Sequence, residues 1–82
     1  MSHKEIILGR NPNCDIIVDD AKASRCHCGI VIEHGKCVLK DKNSFNGTRV
    51  NGVKVSEAVL KDGDVIEIAK HRFSYQNGII YS

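Results

Sequence analysis

The chain reads as short apolar stretches that alternate with polar residues and are cut apart by turns. β-rich runs occupy residues 5–8, 15–18, 27–33, 36–41, 48–50, 65–69 and 72–75, with a further run at 79–81. Where the alternation can be followed its period is two, the period at which successive strand side chains point to opposite faces. In 26–32, Cys26, Cys28, Ile30 and Ile32 fall on one face, and His27, Gly29 and Val31 on the other. In 36–40, Cys37 and Leu39 oppose Lys36, Val38 and Lys40, and in 64–68 Ile66 and Ile68 alternate with Val65 and Glu67. No window carries a helical stripe; the best, residues 56–61, is too short to be more than a turn.

Turn residues fill the gaps: Asn11-Pro12-Asn13, His34-Gly35, Asn46-Gly47, Asn51-Gly52, Asp62-Gly63 and Asn77-Gly78. Asn-Gly and Asp-Gly pairs supply the positive φ angles of tight hairpins, and for Asn51-Gly52 the hairpin reading suffices. Strands of this length, separated by turns every ten residues or so, predict an all-β sandwich or barrel. Phe73 and Tyr75 alternate along one strand and read as core rather than as a platform for stacking bases.

Composition narrows the picture. A chain of 82 residues is expected to form one domain, spanning 1–82, with a small core. At 41% hydrophobic it is too apolar for disorder. No apolar run approaches the ~20 residues of a membrane helix, and the N-terminal one is too short for a signal peptide. A cytoplasmic or nuclear location follows, without a membrane partner. A net charge of only +2 argues against a nucleic-acid partner. Cys14, Cys26, Cys28 and Cys37 include no Cys-x-x-Cys pair, so free thiols are expected, with Cys26 and Cys28 as small core residues on one strand face. Neither a metal nor a cofactor enters this reading.

Three polar clusters sit at strand ends: Gly9-Arg10-Asn11, Ser24-Arg25-Cys26-His27, and Ser44-Phe45-Asn46-Gly47-Thr48 leading to Val50-Asn51-Gly52. Loops on a rigid β scaffold are where recognition groups collect. These loops suit an anion. Two arginines offer planar donor forks, Ser24 offers a hydroxyl, and glycines let backbone N–H groups approach closely. Asn46 adds an amide that can both donate to and accept from an extended peptide.

In this order and spacing the clusters resemble the forkhead-associated (FHA) domain. Cys14-Asp15-Ile16-x-Val18 and Leu60-x-Asp62-Gly63-Asp64-x-Ile66 add to the likeness, which runs from about residue 6 to 75. The resemblance implies a small β-sandwich of the SMAD/FHA type whose end loops bind phosphothreonine in an extended peptide. Carried over position by position, it implies that Arg10 pairs with the phosphate and that Ser24 donates its hydroxyl to it. Arg25 adds charge beside them, and Asn46 holds the peptide backbone. Phe45 stands where many relatives carry a small hydroxyl residue, so that only its backbone can reach the phosphate. Lys22 takes the position that selects the third residue after the phosphothreonine, where a lysine suits an acidic side chain. Gly9, His27, Gly47 and Thr48 shape the loops.

FHA domains usually carry strand sequence ahead of the Gly-Arg strand, whereas eight residues precede Gly9 here. The early strands are then missing, shortened or replaced by residues 77–82. The sheet edge so left could be covered by a second copy of the chain, pairing or swapping strands into a homodimer, or by residues 79–81 folding back. The expected function is a phosphothreonine-dependent interaction module. A degenerate FHA-like scaffold acting without phosphate is the second reading; such relatives generally lose the loop arginine and serine, and both are present here. Catalysis is not expected, because His27 has no evident nucleophile and orienting partner.

Overall fold

The computed structural model describes residues 5–81, so residues 1–4 and Ser82 of the expected 1–82 domain lie outside it. Among the described residues there are ten strands and no helix. They are β1 (Ile6–Gly9), β2 (Ile16–Ile17), β3 (Cys28–Glu33), β4 (Lys36–Asp41) and β5 (Thr48–Val50), then β6 (Val53–Val55), β7 (Glu57–Val59), β8 (Val65–Ile68), β9 (His71–Gln76) and β10 (Ile79–Tyr81). One sheet has the order β2-β1-β3-β4-β7 and the other β10-β9-β8-β5-β6. Every pair is antiparallel except β1 with β2. The described residues thus form the two-sheet, all-β architecture that the pattern predicts.

Three of the turn pairs form two-residue hairpins with both residues at positive φ: His34-Gly35, Asn51-Gly52 and Asn77-Gly78. Such turns match the right-handed twist of the strands they join. They also set register. The His34-Gly35 hairpin pairs Glu33 with Lys36 at one end of β3 and β4 and Cys28 with Asp41 at the other. Leu8 of β1 pairs with Cys28 as well. The segments after Gly9, before Cys28 and after Asp41 therefore leave the sheet side by side, and these are the three polar clusters.

The core lies between the sheets. Leu8, Cys28, Ile30 and Leu39 come from the first, and Val50, Ile66, Ile68, Phe73 and Tyr75 from the second. The period-two reading holds for Cys28, Ile30, Leu39, Ile66 and Ile68 and fails at Cys26, Ile32 and Val38. Cys26 is exposed because β3 begins only at Cys28, and the bend before it turns the Cys26 side chain out of the core face. Ile32 is exposed, next to the hairpin. Val38, on the face shared with Lys36 and Lys40, is nevertheless buried, paired with Val31 on one side and Val59 on the other.

Residues 56–61 are not just a turn: Glu57–Val59 form β7 and pair with β4. β6 is likewise unanticipated. Three-residue strands contain too little repeat for a period to show, and only their partners define them. The C-terminal segment does fold back, with β10 pairing antiparallel along β9 and forming the outer edge of its sheet.

Gly9 ties fold to loops. A Cβ there would run into the Arg25 carbonyl oxygen, with the His27 amide close behind. Both neighbours are backbone and cannot swing away. Gly9→Ala should therefore destabilise the fold by about 1–3 kcal/mol, the usual cost of overpacking. Chemical denaturation checks this, and an unchanged midpoint would mean that the loop yields freely.

Candidate functional site

The first cluster is fastened to the second by its backbone. Arg10 N–H donates to Ser24 O at 3.0 Å, and Asn11 N–H donates to Arg25 O at 3.2 Å. The Arg10 side chain is itself placed: Nε donates to Ala23 O at 3.1 Å. That bond uses one edge of the guanidinium and leaves its terminal nitrogens as a fork. Arg10 and Arg25, both exposed, line one cavity of about 340 Å³ together with Asn11 and Pro12.

The second cluster is fastened to the third through side chains. Ser24 Oγ accepts the Phe45 N–H at 2.9 Å, which fixes the oxygen and leaves its own proton to donate. Asn46 Nδ2 donates to Lys22 O at 2.7 Å. His27 is fully buried, and both its ring nitrogens are used. Nδ1 accepts the Ser24 N–H at 3.0 Å, so the proton sits on Nε2, which donates to Gly47 O at 2.8 Å. Gly47 has φ of +84°, which favours glycine, and Thr48 beside it is fully buried.

Beneath the third cluster lies Asp41, at the end of β4. Its carboxylate accepts the Ser44 hydroxyl at 2.5 Å, the Ser44 N–H at 3.0 Å and the Thr48 hydroxyl at 2.7 Å. Burial pushes this carboxyl up, but the bonds from Ser44 and Thr48 outweigh it and hold it below its usual 3.8. On the far side of Asn46 a second cavity, about 280 Å³, is lined by Lys22, Asn46, Gly47, Arg49, Glu67 and Lys70, with Ala69. Asp20 holds the approach to Lys22, accepting its N–H at 2.9 Å. That bond lowers the Asp20 carboxyl below its usual value.

The thiols stand apart from this chemistry. Cys28 is pushed up to about 12, chiefly by burial, and is inert at neutral pH. Cys14 donates to Arg25 O at 3.2 Å. Among the described residues no group of three or more His, Cys, Asp or Glu side chains could hold a metal ion. Nor is any helix long and apolar enough to cross a membrane.

The family profile of the FHA domain matches residues 6–69. The chain belongs to the FHA family. The glycogen accumulation regulator GarA of Mycolicibacterium smegmatis is 41% identical over 70 residues, covering 85% of this FHA domain and 44% of GarA. The chain thus spans less than half the length of that relative. The FHA-2 domain of the Mycobacterium tuberculosis ABC transporter Rv1747 superposes with a TM-score of 0.83 at 36% identity, over 93% of this chain and 70% of that one. Mycobacterium tuberculosis EmbR, solved in complex with a low-affinity phosphopeptide, superposes with a TM-score of 0.85 at 35% identity, over 95% of this chain and 20% of that one.

The FHA domain gathers the residues singled out from the sequence. Arg10, Ser24, Arg25, Asn46 and Lys22 lie on adjoining loops at one end of the sandwich, with Gly9, His27, Gly47 and Thr48 beneath or between them. The Phe45 N–H, expected to face a ligand, donates to Ser24 Oγ, while the residue as a whole is 90% exposed. Asp41 escapes sequence reading. Its only signal is an acceptor placed three residues before a serine and seven before a threonine.

Asp41→Asn should cost about 1–3 kcal/mol by leaving partly buried partners poorly matched. The depressed carboxyl also sets a sign. Its contribution is complete above the unfolded-state value of 3.8 and is lost as pH falls through the lower folded-state value. Denaturation at several pH values should show wild-type stability falling below pH about 4, with that component missing from the variant.

Proposed function

We propose that this FHA domain, acting as one module, is a non-catalytic receptor for phosphothreonine in an extended peptide segment of a partner protein. The observation that carries the reading is the way Arg10 and Ser24 are held. Each is fixed by a bond that leaves its best donor over: the guanidinium fork of Arg10 and the hydroxyl proton of Ser24. Phosphothreonine carries about −1.5 to −2 charges and three strong acceptor oxygens, which such donors suit. Arg25 adds charge from the same cavity. Asn46 keeps its Oδ1 and second amide proton to pair with the peptide backbone. Lys22 borders the neighbouring cavity, where it would favour an acidic residue three positions after the phosphothreonine.

The absence of catalysis is supported by His27. It accepts the Ser24 backbone N–H rather than the Ser24 hydroxyl, and burial with both nitrogens engaged gives it no role as a base. The partner is a phosphorylated protein.

Calorimetry with matched peptides tests the reading. A phosphothreonine peptide should bind, and its unphosphorylated and glutamate counterparts should not. Arg10→Ala should cost about 2–5 kcal/mol, as truncating one member of a desolvated charge pair does. Wild-type affinity should fall below pH about 6, where the phosphate takes up a proton. Binding that ignores the phosphate would restore the scaffold reading.

A further inference from the structure

Phe45 is the most exposed large hydrophobic residue described, at 90%. A single apolar side chain at the surface is commonplace. What sets this one apart is how its backbone is held. Ser44 is bound through both its amide and its hydroxyl to Asp41. The Phe45 N–H is bound to Ser24 Oγ, Asn46 to Lys22 O, and Gly47 O to His27. Every residue from 44 to 47 is tied by a hydrogen bond, and Phe45 is left with no apolar cover. Moving the backbone to bury this residue would break the bonds that shape the site. An aromatic ring presented on a fixed backbone gives contact area at little cost in conformational entropy.

The position of the ring selects its occupant. The Phe45 amide sits 2.9 Å from the hydroxyl assigned to the phosphate, and the next residue is the one assigned to the peptide backbone. A peptide threaded past both must cross the Phe45 side chain. Extended residues advance about 3.3 Å each, so the ring reaches side chains within two positions of the phosphothreonine. A cationic side chain there, stacked on the ring, would meet the charges of Arg10, Arg25 and Lys22. An apolar one meets no such opposition.

Resting on the phosphothreonine reading, we propose that Phe45 is a specificity-determining residue that selects a bulky apolar side chain within two positions of the phosphothreonine. The ring replaces a direct backbone contact to the phosphate with a hydrophobic contact to the flanking chain.

The test is a panel of phosphothreonine peptides carrying Leu, Ala or Arg at each position from two before to two after the phosphothreonine. They are titrated into wild type, Phe45→Ala and Phe45→Leu. Burial of about 25–55 Å² of apolar area corresponds to roughly three- to tenfold in affinity. Wild type should therefore prefer Leu over Ala three- to tenfold at one position, and Arg should gain nothing. Phe45→Ala should reduce that preference to within twofold while still requiring the phosphate. Phe45→Leu should restore much of it. Cross-peaks between the Phe45 ring and the peptide leucine methyls should appear in nuclear Overhauser spectra.

Thermal midpoints matching wild type confirm that both variants fold. Phosphate-dependent binding with no apolar preference, or with a preference that survives Phe45→Ala, overturns the inference and leaves the phosphothreonine reading intact. Binding of no phosphopeptide at all overturns both.

Discussion

One buried imidazole organises the end of the sandwich that matters. His27 sits where the loop before β3 and the loop before β5 would otherwise diverge, and it bonds the backbone of each. Buried backbone groups must find partners, and loops that cannot pair as strands need side chains to supply them. Histidine does this for a donor on one side and an acceptor on the other, with one ring of fixed size. The cost of burying a titratable ring is met by satisfying both nitrogens. Serine 24 and glycine 47 are thereby set at a fixed separation, on which the placing of the hydroxyl and of Asn46 depends.

Around this bridge the site is assembled from two backbone bonds between the first and second clusters and from side-chain bonds to backbone between the second and third. Arg10, Arg25 and Lys22 are long, flexible cations that would repel one another if left to themselves. Their loops are joined through Ser24 O and Arg25 O, which accept backbone N–H groups, and through Lys22 O, which accepts the Asn46 amide, while the three cationic residues stay exposed. Holding like charges together in this way is unfavourable on its own, and it is the arrangement on which the proposed phosphate contact rests. The loops supply charge and the sheets supply position. A core as small as this can do both because the sheet register delivers three loop origins to one end without further packing.

How much of this is legible in the sequence depends on the range of each signal. The hairpins are legible because asparagine and glycine encode positive φ locally. The strands at the centre of each sheet are legible because Ile30, Leu39, Ile66 and Ile68 repeat with period two. β6 and β7 are not, since a three-residue strand is defined by its partner. Nor is the exposure of Cys26, which follows from where β3 begins. In the site, Arg10, Ser24 and Asn46 stand out by type and company, whereas Asp41 looks like any acid closing a strand until Ser44 and Thr48 are seen to converge on it. The destination of the Phe45 amide is a matter of three-dimensional closure between residues 21 positions apart.

The close passage of Gly9 against the Arg25 carbonyl bears on engineering the molecule. Loops are often treated as exchangeable parts that can be transplanted singly from one scaffold to another. Here the first loop is seated on the main chain of the second, and the second is latched to the third. A graft aimed at new ligands would have to move all three together, or else confine its changes to outward side chains such as those at positions 22, 25 and 45.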